Sequence, residues 1–339
     1  MSRHKKQISI RDVAKHAGVG LGTVSRAINN KGSISPKTKA KVLKSIKELG
    51  YTPNLVAQSM RSQKYKNIAF FVDLKNPTFS RIAIGICKRL EHEGYTLSLS
   101  HIGKENIVPS MESFLSGRRF DGIILAPHRD DDETLNRYLN SLEMPIVTLE
   151  HEIAGFSSGV EIDYYSSIKE AMAYLFSIGH KKIALMVGAP QVRSNKSIIN
   201  AFMDAYAEHE LPLNPELIMK GNIDDTYHQQ TFNHVIHMIR HQEITAVLCM
   251  HNQILQLLLD AMKADQLWFP DDVSLIAMED YELTQLLNPS VTVIKRSLTE
   301  IGEKVADILI TAINQPELDP LPPHVIPTQF IIRDSCRPI

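Results

Sequence analysis

The run from Asp12 to Arg26 reads as two short helices joined at Gly18, and a third follows it. Ser9 is a good N-cap, and Ile10, Val13, Ala14 and Ala17 fall on one helical face behind it. Gly18 supplies the turn, and Val19 plugs the space between the first two helices. Residues 21–28 continue as the second helix, with Val24, Ala27 and Ile28 facing inward. Residues 29–32, Asn-Asn-Lys-Gly, are a loop by composition. Ser35-Pro36 caps and opens a third helix ending at Leu49-Gly50, with Val42, Leu43, Ile46 and Leu49 as its buried face. Three short helices with a glycine turn between the first two make a helix-turn-helix unit.

Charge says what such a unit would meet. Residues 1–66 hold 15 Lys+Arg against 2 Asp+Glu, whereas the remainder holds 22 against 36, so the net charge of -1 hides a basic head on an acidic body. That asymmetry points to a polyanion partner for the head alone. Thr23, Ser25, Arg26 and Asn29 lie on the polar face of the second helix, within reach of phosphates or base edges. Of these only Arg26 can grip guanine O6 and N7 together. Lys37, Lys39, Lys41 and Lys44 read as phosphate anchors or equally as solubilising lysines.

The head resembles that of the lactose-repressor family of bacterial transcription regulators. The likeness rests on residues 10–19 (Ile-Arg-Asp-Val-Ala-Lys-His-Ala-Gly-Val), 23–26 (Thr-Val-Ser-Arg), 35–38 (Ser-Pro-Lys-Thr) and 49–54 (Leu-Gly-Tyr-Thr-Pro-Asn). It departs from the family where bases are read. The cap and the two variable reading positions are Gly20, Leu21 and Gly22. Gly22 has no side chain to read with, and Leu21 offers apolar contact only, such as with a thymine methyl. More of the specificity then falls to Arg26 and to DNA shape.

The resemblance also implies that residues 54–61 form a hinge helix only on the operator, where two copies pack in the minor groove. Asn54, Ala57, Gln58, Met60 and Arg61 would contact DNA there, with Met60 as the wedge at the central base step, a position usually held by Leu. A helix this short is marginal in water, so off DNA the segment reads as a linker.

From Asn67 the pattern changes to apolar runs of strand length alternating with helical segments. The runs are 68–72, 96–101, 122–126, 146–149, 183–187, 246–250, 274–278 and 291–294; the helical segments are 80–92, 109–116, 133–142, 165–177, 198–209, 231–240, 254–264 and 298–314. Such βαβ alternation means parallel sheets covered on both faces, and its length calls for two similar halves. The family likeness continues at 76–79 (Asn-Pro-Thr-Phe), Gly94-Tyr95, 119–124, 179–184, 270–274 and 289–292. It implies a fold class: an all-α helix-turn-helix head plus hinge helix, joined to a two-lobed α/β domain like periplasmic sugar-binding proteins. The expected divisions are a head over 1–52, a hinge helix and linker over 53–66, and an effector-binding and dimerisation domain over 67–339. Lobe one is expected at about 67–159 and 291–322, lobe two at about 160–290 and 323–339.

By the same resemblance, the effector would sit between the lobes against Phe79, Ala126, Glu150, Lys196, Ile198, Ile223, His251, Glu279 and Asp280. Three of the family's polar positions are altered, one of them an Asn/Asp-Asp pair after the strand at 246–250 that becomes His251-Asn252. The arginine on the helix after the fifth strand is replaced by Ile198, with Arg193 or Lys196 as nearby substitutes, and an acid pair becomes Glu279-Asp280. A sugar or sugar phosphate, another small metabolite, and no small ligand all stay open.

Other constellations weigh less. His234, His237 and His241 share a helix face, but nothing local completes a metal site. Residues 128–133 (His-Arg-Asp-Asp-Asp-Glu) read as an acidic helix start. The glycines at 18, 20 and 22 follow a helix and not a strand, against a dinucleotide site. No nucleophile elbow, phosphate loop or paired-carboxylate motif appears, so no enzyme, cofactor or metal is expected. Cys87, Cys249 and Cys336 read as reduced thiols, and no apolar run is long enough for a membrane span or an export signal. The expectation is a cytoplasmic, nucleoid-associated, homodimeric repressor that binds a near-palindromic operator and answers to an effector. No heptad tail follows to make tetramers. The competing readings are an exported solute-binding protein, an architectural DNA-binding protein, and a regulator controlled by a protein partner.

Overall fold

The computed structural model describes residues 8–29, 34–51, 64–103, 105–117, 119–127, 132–151, 153, 155–190, 192–221, 229–318 and 320–339. They form two compact units, Met1–Tyr65 and Lys66–Ile339.

In the first unit α1 is Ile10–Ala17, α2 is Leu21–Asn29 and α3 is Pro36–Leu49. Ser9 and Asp12 close a capping box on α1, with the Ser9 N–H donating to Asp12 Oδ2 at 2.8 Å. Gly18 takes the left-handed conformation (φ 58°) that ends α1, and its N–H returns to the carbonyls of Ala14 and Lys15. Val13, Ala14, Ala17, Val24, Ala27 and Val42 make the small core, with Val19 packed against it. Leu43 is a correction: it is 47% exposed. The inner stripe of α3 runs Val42, Ser45, Ile46 and Leu49 at helical spacing, and Leu43 lies one step around the helix from it. Ser45 is buried there, satisfied by donating to the Lys41 carbonyl at 3.1 Å.

Among the described residues the second unit carries twelve strands: β1 Asn67–Val72, β2 Thr96–His101, β3 Gly122–Leu125, β4 Ile146–Leu149, β5 Ser157–Asp163, β6 Ile183–Val187, β7 Ile218–Lys220, β8 Ala246–Cys249, β9 Ser274–Met278, β10 Thr292–Lys295, β11 His324–Pro327 and β12 Gln329–Ile331. Helices α4 to α12 cover Thr78–His92, Ile107–Leu115, Glu133–Asn140, Tyr164–Ser177, Arg193–Glu208, Gln229–Arg240, Asn252–Ala264, Glu282–Leu286 and Leu298–Asn314. The strands build two six-stranded sheets of matching order, β11-β5-β4-β3-β1-β2 and β12-β10-β9-β8-β6-β7. Every pair is parallel except β10 with β12. Within β1, Ile68, Phe70 and Val72 enter one core cluster while Ala69 and Phe71 enter another, so the sheet is buried on both faces.

The chain passes between lobes at Asp163/Tyr164, after Lys295, and at Thr328, downstream of the boundaries the sequence suggested. Each crossing strand completes its pairing before it leaves: β5 with β4 and β11, and β10 with β9 and β12. Two crossings are tied together. Thr328 Oγ1 donates to the Asp163 carbonyl at 2.8 Å and shares a hydrogen bond with Ser167 Oγ at 2.6 Å. In lobe one, α4 and α12 cross at glycines. A Cβ on Gly85 would lie 2.0 Å from the Thr299 carbonyl oxygen, and one on Gly302 would lie 2.1 Å from that of Ile82.

Candidate functional site

In the head, the outer face of α2 opposes Val24 and Ala27, which are buried. Leu21, Gly22 and Arg26 are exposed, and Thr23 and Ser25 are half-buried. Arg26 folds back along its own helix, donating from Nε to the Gly22 carbonyl at 3.1 Å. A Cβ at Gly22 would meet Arg26 Nη2 at an ordinary 3.7 Å, so this bond does not depend on the glycine. Lys37, Lys41 and Lys44 are exposed, and Lys44 faces Glu48 at 3.8 Å. Asn29 closes α2. The positions expected in the hinge (Asn54, Ala57, Gln58, Met60 and Arg61) lie outside the described residues.

In the second unit, a cavity of about 230 Å³ opens where strands of both sheets end. This is where parallel α/β sheets place ligands. Five expected positions line it: Phe79, Ala126, Glu150, Ile198 and His251. Lys196 does not; it is exposed on the outer side of its helix, while Ser194, Asn195 and Ile198 face the cavity. Asp280 does not either, and accepts instead from Arg333 Nη2 at 2.6 Å. Ile223 and residues 128–131 lie outside the described residues.

The centre of the site is Arg296, which the sequence reading missed. It is 9% exposed and lines the cavity. Its Nε donates to Glu279, and its Nη1 donates to Glu150 Oε1 at 2.6 Å and to Tyr164 Oη at 2.7 Å. The Tyr164 hydroxyl in turn donates to Glu150 Oε1 at 2.9 Å. These four residues occupy equivalent places in the two lobes. Glu150 and Glu279 each follow the last residue of a fourth strand, β4 and β9, and both take left-handed backbone (φ 58° and 73°). Tyr164 and Arg296 each follow the last residue of a crossing strand, β5 and β10. A comparison of the two halves in register would have found them.

Burial opposes the Arg296 charge, but Glu279, Tyr164 and Glu150 outweigh it and hold the guanidinium well above its ordinary pKa. Burial pushes the Glu279 carboxyl up, against the pull of Arg296. Glu279 does not line the cavity; it backs Arg296 from within the fold. Burial, aided by Arg296, brings His251 down to about 4, so the ring is neutral near pH 7. Further bonds cross between the lobes. Thr78 Oγ1 and Tyr281 Oη lie 2.7 Å apart, Arg81 Nη2 holds Glu282 at 2.5 Å, and Arg193 holds Glu161 at 3.1 Å.

The described residues contain no His, Cys, Asp and Glu group able to hold a metal, and no helix among them is long and apolar enough to cross a membrane. The three cysteines are unpaired.

Residues 9–54 match the lacI family of bacterial regulatory proteins, and residues 172–336 match a periplasmic binding protein-like domain. The chain belongs to the LacI family. It is therefore a DNA-binding transcription regulator and not an enzyme. Among its relatives is the probable HTH-type transcriptional repressor ExuR of Bacillus subtilis (strain 168), 29% identical over 97% of this chain and 98% of that protein. Another is the HTH-type transcriptional repressor PurR of Pasteurella multocida (strain Pm70), 26% identical over 97% of this chain and 98% of that one. The lac repressor dimer bound to operator and the anti-inducer ONPF shares the fold with a TM-score of 0.80, at 22% identity over 98% of this chain and 100% of that one. The CelR–cellobiose complex follows it at a TM-score of 0.69 and 23% identity, over 97% and 99% of the two chains.

Proposed function

We propose that this protein is a cytoplasmic, nucleoid-associated homodimeric repressor that binds a near-palindromic operator and is controlled by a small polar ligand between its lobes. The observation that carries the reading is Arg296. One guanidinium joins Glu150 of lobe one to Glu279 of lobe two at the chain crossing, and it lines the cavity. A ligand that touches it acts on both lobes at once, which is the geometry a hinge-type switch requires. Relatives support the same reading, since solved LacI-like proteins carry operator with an anti-inducer, cellobiose or ribose.

In this reading each head places α2 in a major groove, with Arg26 reading a base and Leu21, Thr23, Ser25 and Asn29 at the DNA surface. The segment with Asn54, Ala57, Gln58, Met60 and Arg61 becomes a minor-groove helix on the operator, and Met60 wedges the central step. The test is selection of duplexes from a random library by the full chain, followed by titration of the winner across salt. A two-fold symmetric consensus, bound far more tightly than random DNA at equal salt, is expected. No consensus, with one salt slope on every duplex, would instead mark an architectural DNA-binding protein.

A further inference from the structure

The cleft combines a charge balance with a set of unused hydrogen-bonding groups, and together they narrow what it accepts. Among the described residues its charged lining is Asp73, Lys75, Glu150 and Arg296, with Glu279 directly behind. Lys75 is exposed to solvent, whereas Arg296 is buried and faces two carboxylates. The buried cation is thus over-compensated, and the group Glu150–Arg296–Glu279 carries a net negative charge whenever both acids are ionised. An arginine placed to capture a carboxylate or phosphate would present its fork uncompensated. This one has spent Nε and Nη1 on its own chain.

The unspent atoms are specific. Arg296 Nη2, with two N–H donors, has no hydrogen bond among the described residues. Among the described residues Glu150 accepts at Oε1 alone, which leaves Oε2 as an acceptor. Asn252 lines the same cavity and donates from Nδ2 to Tyr281 Oη at 2.7 Å, while its Oδ1 is buried with no partner among the described residues. His251 accepts the Gln253 N–H at Nδ1 at 3.3 Å, so its neutral ring presents Nε2–H as a donor. Donors and acceptors are therefore mixed. A hydroxyl both donates and accepts and matches such a set, whereas a carboxylate or phosphate oxygen only accepts and leaves Glu150 Oε2 and Asn252 Oδ1 unpaired.

Resting on the reading of this cleft as the effector site, we infer that it takes an uncharged polyhydroxylated ligand and excludes sugar acids and sugar phosphates. Discrimination is carried by Glu150 and Asn252 as acceptors and by Arg296 Nη2 as a donor whose charge is already matched. The mixed set also separates polyols from apolar or purely accepting metabolites of similar size.

The experiment is a thermal-shift panel on the full chain. It sets free pentoses, hexoses and hexitols against the uronates and 6-phosphates of the same hexoses. A rise in melting temperature confined to uncharged members is expected, because a ligand that binds the folded state raises it by mass action. Asn252→Ala and Glu150→Gln should each weaken the best of them about tenfold, the loss of one well-made hydrogen bond. A uronate or phosphate that shifts the protein as much as its parent sugar overturns the inference, as does a panel in which nothing binds. Both leave operator binding and the cleft itself untouched. A sugar whose shift survives both substitutions places the ligand elsewhere, and then the cleft reading fails with it.

Discussion

Arg296 and Glu279 each stand one residue beyond the end of neighbouring parallel strands, β10 and β9, and the guanidinium Nε donates to the carboxylate. The same two positions in lobe one hold Tyr164 and Glu150, and Arg296 reaches them from lobe two. Among the contacts between the lobes, this one is a buried cation held by residues that the repeated topology brings to one point.

Removing that cation should be costly. Arg296→Met leaves two carboxylates facing each other without their partner, and loss of one side of a buried pair costs about 3–5 kcal/mol. Urea denaturation of the variant should show the loss. Glu279→Gln together with Arg296→Met should cost less than the two single changes added, because the changes share one interaction. Strict additivity would mean that the pair contributes nothing.

Much of this molecule is legible in its residues before any coordinates. The head helices begin and end at Ser9, Gly18, Ser35-Pro36 and Gly50 because caps and turns are local chemistry. The inner strands read as continuous apolar runs because both of their faces are buried. β7, β11 and β12 escaped notice because they are short edge strands with half-exposed side chains. β5 and Tyr164 were hidden by polar neighbours, and Arg296 by a reading that ended its strand at Ile294. Its role depends on two acids 146 and 17 residues away in sequence, a relationship that no local pattern carries.

The α4–α12 crossing sets where the cleft residues of α4 stand. Gly85→Ala and Gly302→Ala would each drive a Cβ into backbone rather than into a flexible side chain. Overpacking of this kind costs about 1–3 kcal/mol and occasionally more, and here the upper end is expected because neither helix can yield locally. Thermal unfolding of the two variants measures it. Stability unchanged by Gly85→Ala would show that the helices do not approach this closely in solution.

Acid should weaken lobe two through His180. The ring is fully buried, and burial lowers its pKa below the usual 6.5. Its nitrogens lie 2.8 Å from Thr245 Oγ1, 3.0 Å from Ser274 Oγ and 3.1 Å from the Arg337 carbonyl. The folded state thus prefers the neutral ring, so the unfolded state takes up more protons below the unfolded pKa. Stability should be full above about pH 6.5 and fall as the pH drops below it. His251, also lowered, adds a slope of the same sign. Urea midpoints between neutral and mildly acid pH should fall less steeply in His180→Gln than in the parent. Equal slopes would show that His180 is already protonated in the folded protein.

The head offers a direct separation of folding from reading. Gly22 lies within α2, where glycine costs up to ~1 kcal/mol relative to alanine. A Cβ there meets only Arg26 Nη2, at an ordinary 3.7 Å. Gly22→Ala should therefore stabilise the head by about 0.5–1 kcal/mol, read from its thermal unfolding. Arg26→Ala should leave the fold nearly unchanged, since the side chain is exposed and its bond to the Gly22 carbonyl is local. On the operator, though, it should cost about 1–3 kcal/mol and relax preference at one base pair in each half-site. To reach a base, Arg26 must give up its hold on the Gly22 carbonyl, so part of the contact energy is spent in release. If Arg26→Ala weakens binding equally on random DNA, the arginine anchors a phosphate, and base reading must come from Leu21 and the other exposed residues of α2.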